Sequence, residues 1–161
     1  MSVNPENLRT AMRQWATGVT VVSVALNGDR HGMTVSSFTS LSLDPPLVMV
    51  SLENVTRTRN LVMQAGRFGV TILRQEQQDI SDVFAGRHTE NLDRFEGLPT
   101  YTLVSGCPLL AGGLAGFDCR VVTSYPAGNH TVFIADVLAV NFETSGSPLL
   151  YYDRDYRVLK L

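Results

Sequence analysis

Lysine is almost missing from this chain, which has one lysine against twelve arginines, and no basic cluster disturbs a formal charge of −2 and a pI near 5.9. That balance argues against a nucleic-acid partner. The arginine bias fits phosphate recognition at one or two positions, although biased codon usage accounts for it more simply. No apolar run approaches the roughly 20 residues needed to cross a bilayer. Met1-Ser2-Val3-Asn4-Pro5-Glu6 has neither the basic nor the apolar region of a secretory signal, so no membrane association and a cytoplasmic location are expected. The only two cysteines, Cys107 and Cys119, have no metal or redox spacing and read as free thiols. His31, His88 and His130 are widely separated, with no carboxylate or cysteine at ligand spacing, so no metal is expected. A Walker lysine motif, a G-x-G-x-x-G turn, an H-E-x-x-H helix and a G-x-S-x-G elbow are all lacking, and Gly112-Gly113-Leu114-Ala115-Gly116 does not match the dinucleotide fingerprint.

What remains is the pattern of a mainly β protein. A length of 161 residues suits one domain over positions 1–161 that buries about two-thirds of its unfolded surface. Asn4, Pro5 and Glu6 form a helix start, followed by Leu8, Met12 and Trp15 at i, i+4 and i+7. Residues 19–26 read as a strand, turned by Asn27-Gly28-Asp29 into a second around Met33 to Phe38. Leu47 to Leu52 is unbroken in apolar character apart from Ser51, which predicts burial on both faces. Thr56 to Ala65 reads as a capped helix ended by Gly66, and a strand from Arg67 to Leu73 follows. Ile80, Val83 and Phe84 have helical spacing, after which the polar stretch 86–91 predicts a mobile loop. Two long β segments, 114–125 and 131–140, flank Pro126-Ala127-Gly128-Asn129-His130, and a last pair is expected at 149–152 and 156–161. Hairpin-linked strands in this number favour an antiparallel barrel over a doubly wound sheet.

The densest signal lies between His31 and Leu52. There Thr34, Ser36, Ser37, Thr39, Ser40 and Ser42 stand where a buried strand would carry valine or leucine, and Asp44-Pro45-Pro46 joins this segment to the next. Such a run is either a polar ligand wall, able to hold a phosphate, a ribityl chain or the edge of a flat ring, or an edge strand with a solvated face. Three other places stand beside it. Ser51 to Thr58 joins a strand end to a helix start, either an anion site or a plain N-cap at Thr56. Gly128-Asn129-His130 presents an imidazole in a turn, as a surface residue or a ligand contact. Pro148 to Arg157 carries paired tyrosines that suit a core edge or a pocket wall.

In order along the chain, W-A-T-G-V-T-V-V, G-M-T-V-S-S-F-T-S-L-S-L-D-P-P-L-V-M-V-S-L, R-F-G-V-T-I-L, D-R-F-E-G, C-P-L-L-x-G-x-L-A, Y-P-A-G-N-H-T-V-F-I-A-D-V and P-L-L-Y-Y resemble the flavin reductase family of the FMN-binding split-barrel superfamily. The family's G-D-H turn is Gly128-Asn129-His130 here, which removes a carboxylate and keeps the histidine. The resemblance implies a six-stranded antiparallel split barrel of Greek-key type and a homodimer with the flavin in a groove near the subunit interface. It implies that NADH or NADPH reduces non-covalent FMN or FAD, and that the reduced flavin passes to a partner monooxygenase. By position, Thr34, Val35, Ser36 and Ser37 would line the isoalloxazine and ribityl chain, leaving Ser40 and Ser42 to a solvated edge. Ser51, Leu52, Thr56, Arg57 and Thr58 would hold the phosphate side, Phe95 would close over the rings, and Tyr152 would sit at the same pocket. His130 would contact the nicotinamide as the catalytic histidine, in a positioning role, and the Asp44-Pro45-Pro46 corner would bring two strand ends to one ligand. No arginine is clearly placed for a 2′-phosphate. Other readings are a split-barrel oxidase with tightly bound FMN and a non-catalytic flavin- or haem-binding module.

Overall fold

In the computed structural model, which describes residues 3–87 and 93–159, Asn4 accepts the Glu6 amide at 2.9 Å and caps α1 (Pro5–Met12). The helix stops one turn before Trp15, and Leu8, Met12 and Trp15 stay exposed instead of entering the core. A two-residue β1 (Thr17–Gly18) then leads to β2 (Thr20–Leu26) and β3 (Asp29–Val35). Asn27 and Gly28 take φ of 52° and 82°, the paired left-handed conformation that a tight hairpin turn needs.

The hydroxyl-rich run is not one strand. It breaks at Ser36–Phe38, and the remainder forms the short β4 (Thr39–Leu43), whose last residue pairs with the first of β5 (Pro46–Glu53) across the Asp44-Pro45 turn. Thr39, Ser40 and Leu43 are exposed, so the second half of the run is an edge strand. The proline turn lies at the end of the hairpin away from Ser37 and Ser51; what it does is set the register that puts Thr39 opposite Met49. β5 also departs from expectation. Val48, Val50 and Leu52 are buried while Leu47, Met49 and Ser51 are half-buried, so the strand has one core face and one open face.

Thr56 caps α2 (Arg57–Ala65), accepting the Arg59 amide, and Gly66 closes it at φ 65°. Then come β6 (Arg67–Ile72), a 3₁₀ turn (Gln75–Gln77) running into α3 (Gln78–Phe84), and the short β7 (Thr100–Tyr101) and β8 (Leu109–Leu110). The long pair β9 (Ala115–Ala127) and β10 (His130–Phe142) and the hairpin β11 (Leu149–Tyr152) and β12 (Asp155–Val158) complete the chain. The polar stretch expected as a mobile loop falls largely at 88–92, outside the described residues.

Six antiparallel strands run neighbour to neighbour as β3-β2-β6-β9-β10-β5, and β4 adds a seventh at the β5 end. The two ends of this sheet, β3 and β4, are joined covalently by Ser36–Phe38 but not by a strand ladder, which leaves the seam of a split barrel. Inside, Val22, Val24, Val35, Val50, Leu52, Phe68, Val70 and Phe133 form one cluster, with Val62 of α2 entering from one end. A second cluster outside β2, made of Val21, Leu73, Phe84, Phe95, Leu110 and Leu149, seats α3 and the β11–β12 hairpin. Both cysteines are free and buried. Burial, with Asp118 beside it, pushes the Cys119 thiol up to about 12, so it supplies no thiolate at neutral pH. No helix among the described residues is long and apolar enough to cross a membrane.

Candidate functional site

The seam opens into a groove of about 760 Å³. Its walls come from three distant stretches: Trp15 to Gly18, Ser36 to Thr39, and Tyr151 to Arg154, with Met49 from β5 and Arg9, Met12 and Arg13 from the end of α1. That volume lies in the range of natural ligand sites, and the mix of aromatic, thioether and hydroxyl walls suits a flat ring with a polar edge.

The Ser37 hydroxyl holds the seam. It donates to the Ser51 carbonyl at 2.8 Å and accepts the Ser51 amide at 3.1 Å, so one side chain does what a strand residue's backbone would do for β5. Ser36 beside it is exposed and its hydroxyl has no partner among the described residues. The open face of β5 continues from the groove. Cross-strand pairing puts Ile134 opposite Met49, Val132 opposite Ser51 and His130 opposite Glu53, and directly paired residues share a face. His130 therefore shares a sheet face with Met49, about 13 Å along the strand from it, and does not itself line the groove. Its Nδ1 lies 2.8 Å from Asn129 Oδ1, and Asn54 donates its amide to the Asn129 carbonyl at 2.9 Å, fixing this turn against the β5 end.

The expected residues thus divide. Ser36, Ser37 and Tyr152 line the groove, Tyr152 donating to Gln14 Oε1 at 3.2 Å. Thr34, Val35 and Ser36 line a smaller side cavity of about 170 Å³ with Tyr156, Ser81 and Arg87. Thr34 donates to the Ser81 carbonyl at 2.6 Å there, and Tyr156 donates to Asp82 at 2.7 Å. Burial raises the Tyr156 phenol above its usual range, keeping it a donor. Leu52 and Thr58 are wholly buried, and Thr58 Oγ1 lies 2.8 Å from His31 Nδ1. Burial, then the Arg94 and Arg57 guanidiniums, lower His31 to about 4 against the opposing carboxylates Asp29 and Asp93. Thr56 and Arg57 lie at the exposed end of α2, where Arg57 pairs with Asp29 at 2.5 Å. Phe95 is 1% exposed, edge-on to Phe84 and beneath the Arg30 guanidinium, and it does not line the groove.

Sequence reasoning missed Trp15, Met49, Arg13 and Arg154 as groove residues. The sole tryptophan left 68% exposed marks the groove once the fold is known, but nothing local to Met49 or Arg13 separates them from ordinary strand and helix-end positions. Arg154 had a local signal: Asp153-Arg154 fills a two-residue hairpin turn with no glycine.

Comparison with known proteins agrees with this geometry. The family described as flavin reductase like domain matches residues 12–160. An NADH-dependent flavin reductase from a Rhodococcus species is 39% identical over 162 residues, covering 99% of this chain and 89% of the relative. The reductase component of 4-hydroxyphenylacetate 3-monooxygenase from Thermus thermophilus is 36% identical, covering 96% of each chain. Among solved structures, the styrene monooxygenase flavin reductase of Pseudomonas putida has a TM-score of 0.85 at 40% identity, over 96% of this chain and 98% of that one. A split barrel with an open seam groove, matched over nearly its full length, leaves one assignment: the chain belongs to the flavin reductase like domain family.

Proposed function

We propose that this chain, working as one flavin reductase-like domain, transfers a hydride from NADH to non-covalently held FMN or FAD and supplies reduced flavin to a monooxygenase component. The observation that carries the reading is the seam groove, whose volume of about 760 Å³ is ample for a flat ring and which Ser36 and Ser37 border. The flavin supplies the two-electron acceptor and the nicotinamide supplies the hydride, so the protein's own work is alignment. Ser36 and the amides around it would bond the polar edge of the ring, where negative charge develops on reduction. Ser37 would fix that wall through Ser51. Met49, Trp15 and Tyr152 give apolar faces that exclude water from one side. His130, held by its turn on the same sheet face, would orient the nicotinamide by a hydrogen bond, which requires no change in its protonation.

Arg57, exposed at the start of α2, and the half-buried Thr56 before it would meet a phosphate that extends past the groove. Thr34, Val35, Leu52, Thr58 and Phe95 support these walls from behind through their hydrogen bonds and core contacts. Leu138, Val140 and Phe142 alternate on one exposed face of β10, an apolar surface suited to a second copy and so to a homodimer. A cytoplasmic site of action fits a reaction fed by NADH.

The test is the His130→Ala variant, assayed with FMN, FAD and riboflavin. The expected outcome is a fall of ten- to a hundredfold in NADH-dependent flavin reduction with flavin affinity within twofold of the parent. Failure of the parent protein to accelerate NADH or NADPH oxidation with any of the three flavins would end the reading.

A further inference from the structure

We infer that the end of the groove between the close of α1 and the β11–β12 turn is a seat for the pyrophosphate of a dinucleotide, with Arg13 and Arg154 as its anion-binding side chains. This rests on the hydride-transfer reading and deepens it by naming what holds the part of a dinucleotide remote from the reacting rings.

The Asp153 amide donates to the Arg13 carbonyl at 3.2 Å, which ties the turn to the helix end and brings the two arginines to one edge of the groove. Among the described residues, half of the arginines are ion-paired and these two are not, a state they share with Arg59, Arg67, Arg74 and Arg94, none of which lines the groove. Arg9 pairs with Glu6, Arg30 with Asp93, Arg57 with Asp29, Arg87 with Asp82 and Arg120 with Asp136. Among the described residues, neither Arg13 nor Arg154 has a carboxylate within ion-pair distance, although Asp153 shares the wall. Arg13 Nε is in addition buried with no hydrogen-bond partner, as Arg67 Nε is, so no protein acceptor holds the guanidinium at that atom.

The backbone adds a second observation. Asp153 and Arg154 take φ of 49° and 65°. Glycine adopts that region freely, whereas a residue such as arginine pays about 1 kcal/mol or more there. What arginine adds at this groove-lining position is a guanidinium. Two guanidinium forks match the paired oxygens of a pyrophosphate, and Trp15 and Tyr152 beside them offer aromatic faces for a purine. Both FAD and NADH carry that group.

Because Trp15 is the only tryptophan, its fluorescence reports on this end of the groove. Titration with ADP and with inorganic pyrophosphate should quench it, and Arg13→Ala with Arg154→Ala should weaken both at least tenfold. Arg154→Gly should weaken ADP binding while its melting temperature stays level or rises, which separates lost recognition from lost folding. Kinetics then assign the source. A tenfold fall in kcat/KM for FAD relative to riboflavin marks the flavin's pyrophosphate; a tenfold fall in kcat/KM for NADH with riboflavin as acceptor marks the nicotinamide's. Absent ADP binding, or a double variant within twofold of the parent on every measure, overturns the seat. A parent protein that reduces no flavin yet loses ADP binding in the double variant overturns hydride transfer alone.

Discussion

On one face of β5, Val48, Val50 and Leu52 are 4%, 0% and 0% exposed; on the other, Leu47, Met49 and Ser51 are half-buried and Met49 borders the groove. The outer face ends in the polar Ser51, but Leu47 and Met49 on it are as apolar as the residues of the inner face, and they are not closed off. The inner residues meet Phe133, Phe68 and Val62 in a filled barrel, where packing leaves no room for a ligand. The outer residues meet a seam that the chain spans with Ser36–Phe38 and not with a strand. Hydrophobicity alone therefore does not distinguish a core face from a binding face; the partner across from it does.

The comparison breaks most sharply at Phe133, opposite Val50 and wholly buried. Phe133→Ala should cost about 3–5 kcal/mol of stability, read as a lower urea midpoint, with the flavin KM of the folded protein little changed. A stability loss under 1 kcal/mol would mean that the barrel interior is not the stabilising layer.

On the open face the balance should reverse. Ser36→Val with Ser37→Val should weaken flavin binding by about 1–3 kcal/mol, measured by equilibrium titration, through lost hydrogen bonds and a loosened seam. Unchanged flavin affinity would detach the groove wall from the ligand.

His31 tests the border between dry interior and solvent. Its folded value of about 4 lies below the ordinary 6.5, so the unfolded chain takes up the proton first. Stability from this group is complete above about pH 6.5 and declines as pH falls toward 4. Since the ring is only half-buried, solvent screening reduces the effect to about 1 kcal/mol. Urea midpoints followed from pH 7.5 to 4.5 should show this slope in the parent and a flatter one in His31→Gln. Equal slopes would sink the assignment.

Much of the fold was readable because its punctuation is local. Asn27-Gly28, Gly66 and Thr56 each specify a turn or a cap from two or three residues, and the structure has them in those roles. β1, β7 and β8 were unreadable, since two-residue strands carry no period to detect. The break at Ser36–Phe38 escaped notice for a related reason: serine and threonine fit both a strand and its interruption. The groove was readable only in part. Ser36, Ser37 and Tyr152 stood out through their own chemistry, whereas Trp15, Met49, Arg13 and Arg154 become wall residues only when sequence-distant segments meet. Burial, likewise a property of the assembled chain, took Thr58 and Phe95 out of solvent.

The bond from Ser51 to Ser37 has one more consequence. A single amide proton on β5 is shielded by a side chain that is also the ligand's wall, so its exchange with heavy water should slow when the groove fills and quicken when it empties. The protein carries its own occupancy gauge at that one backbone position, legible without any added label.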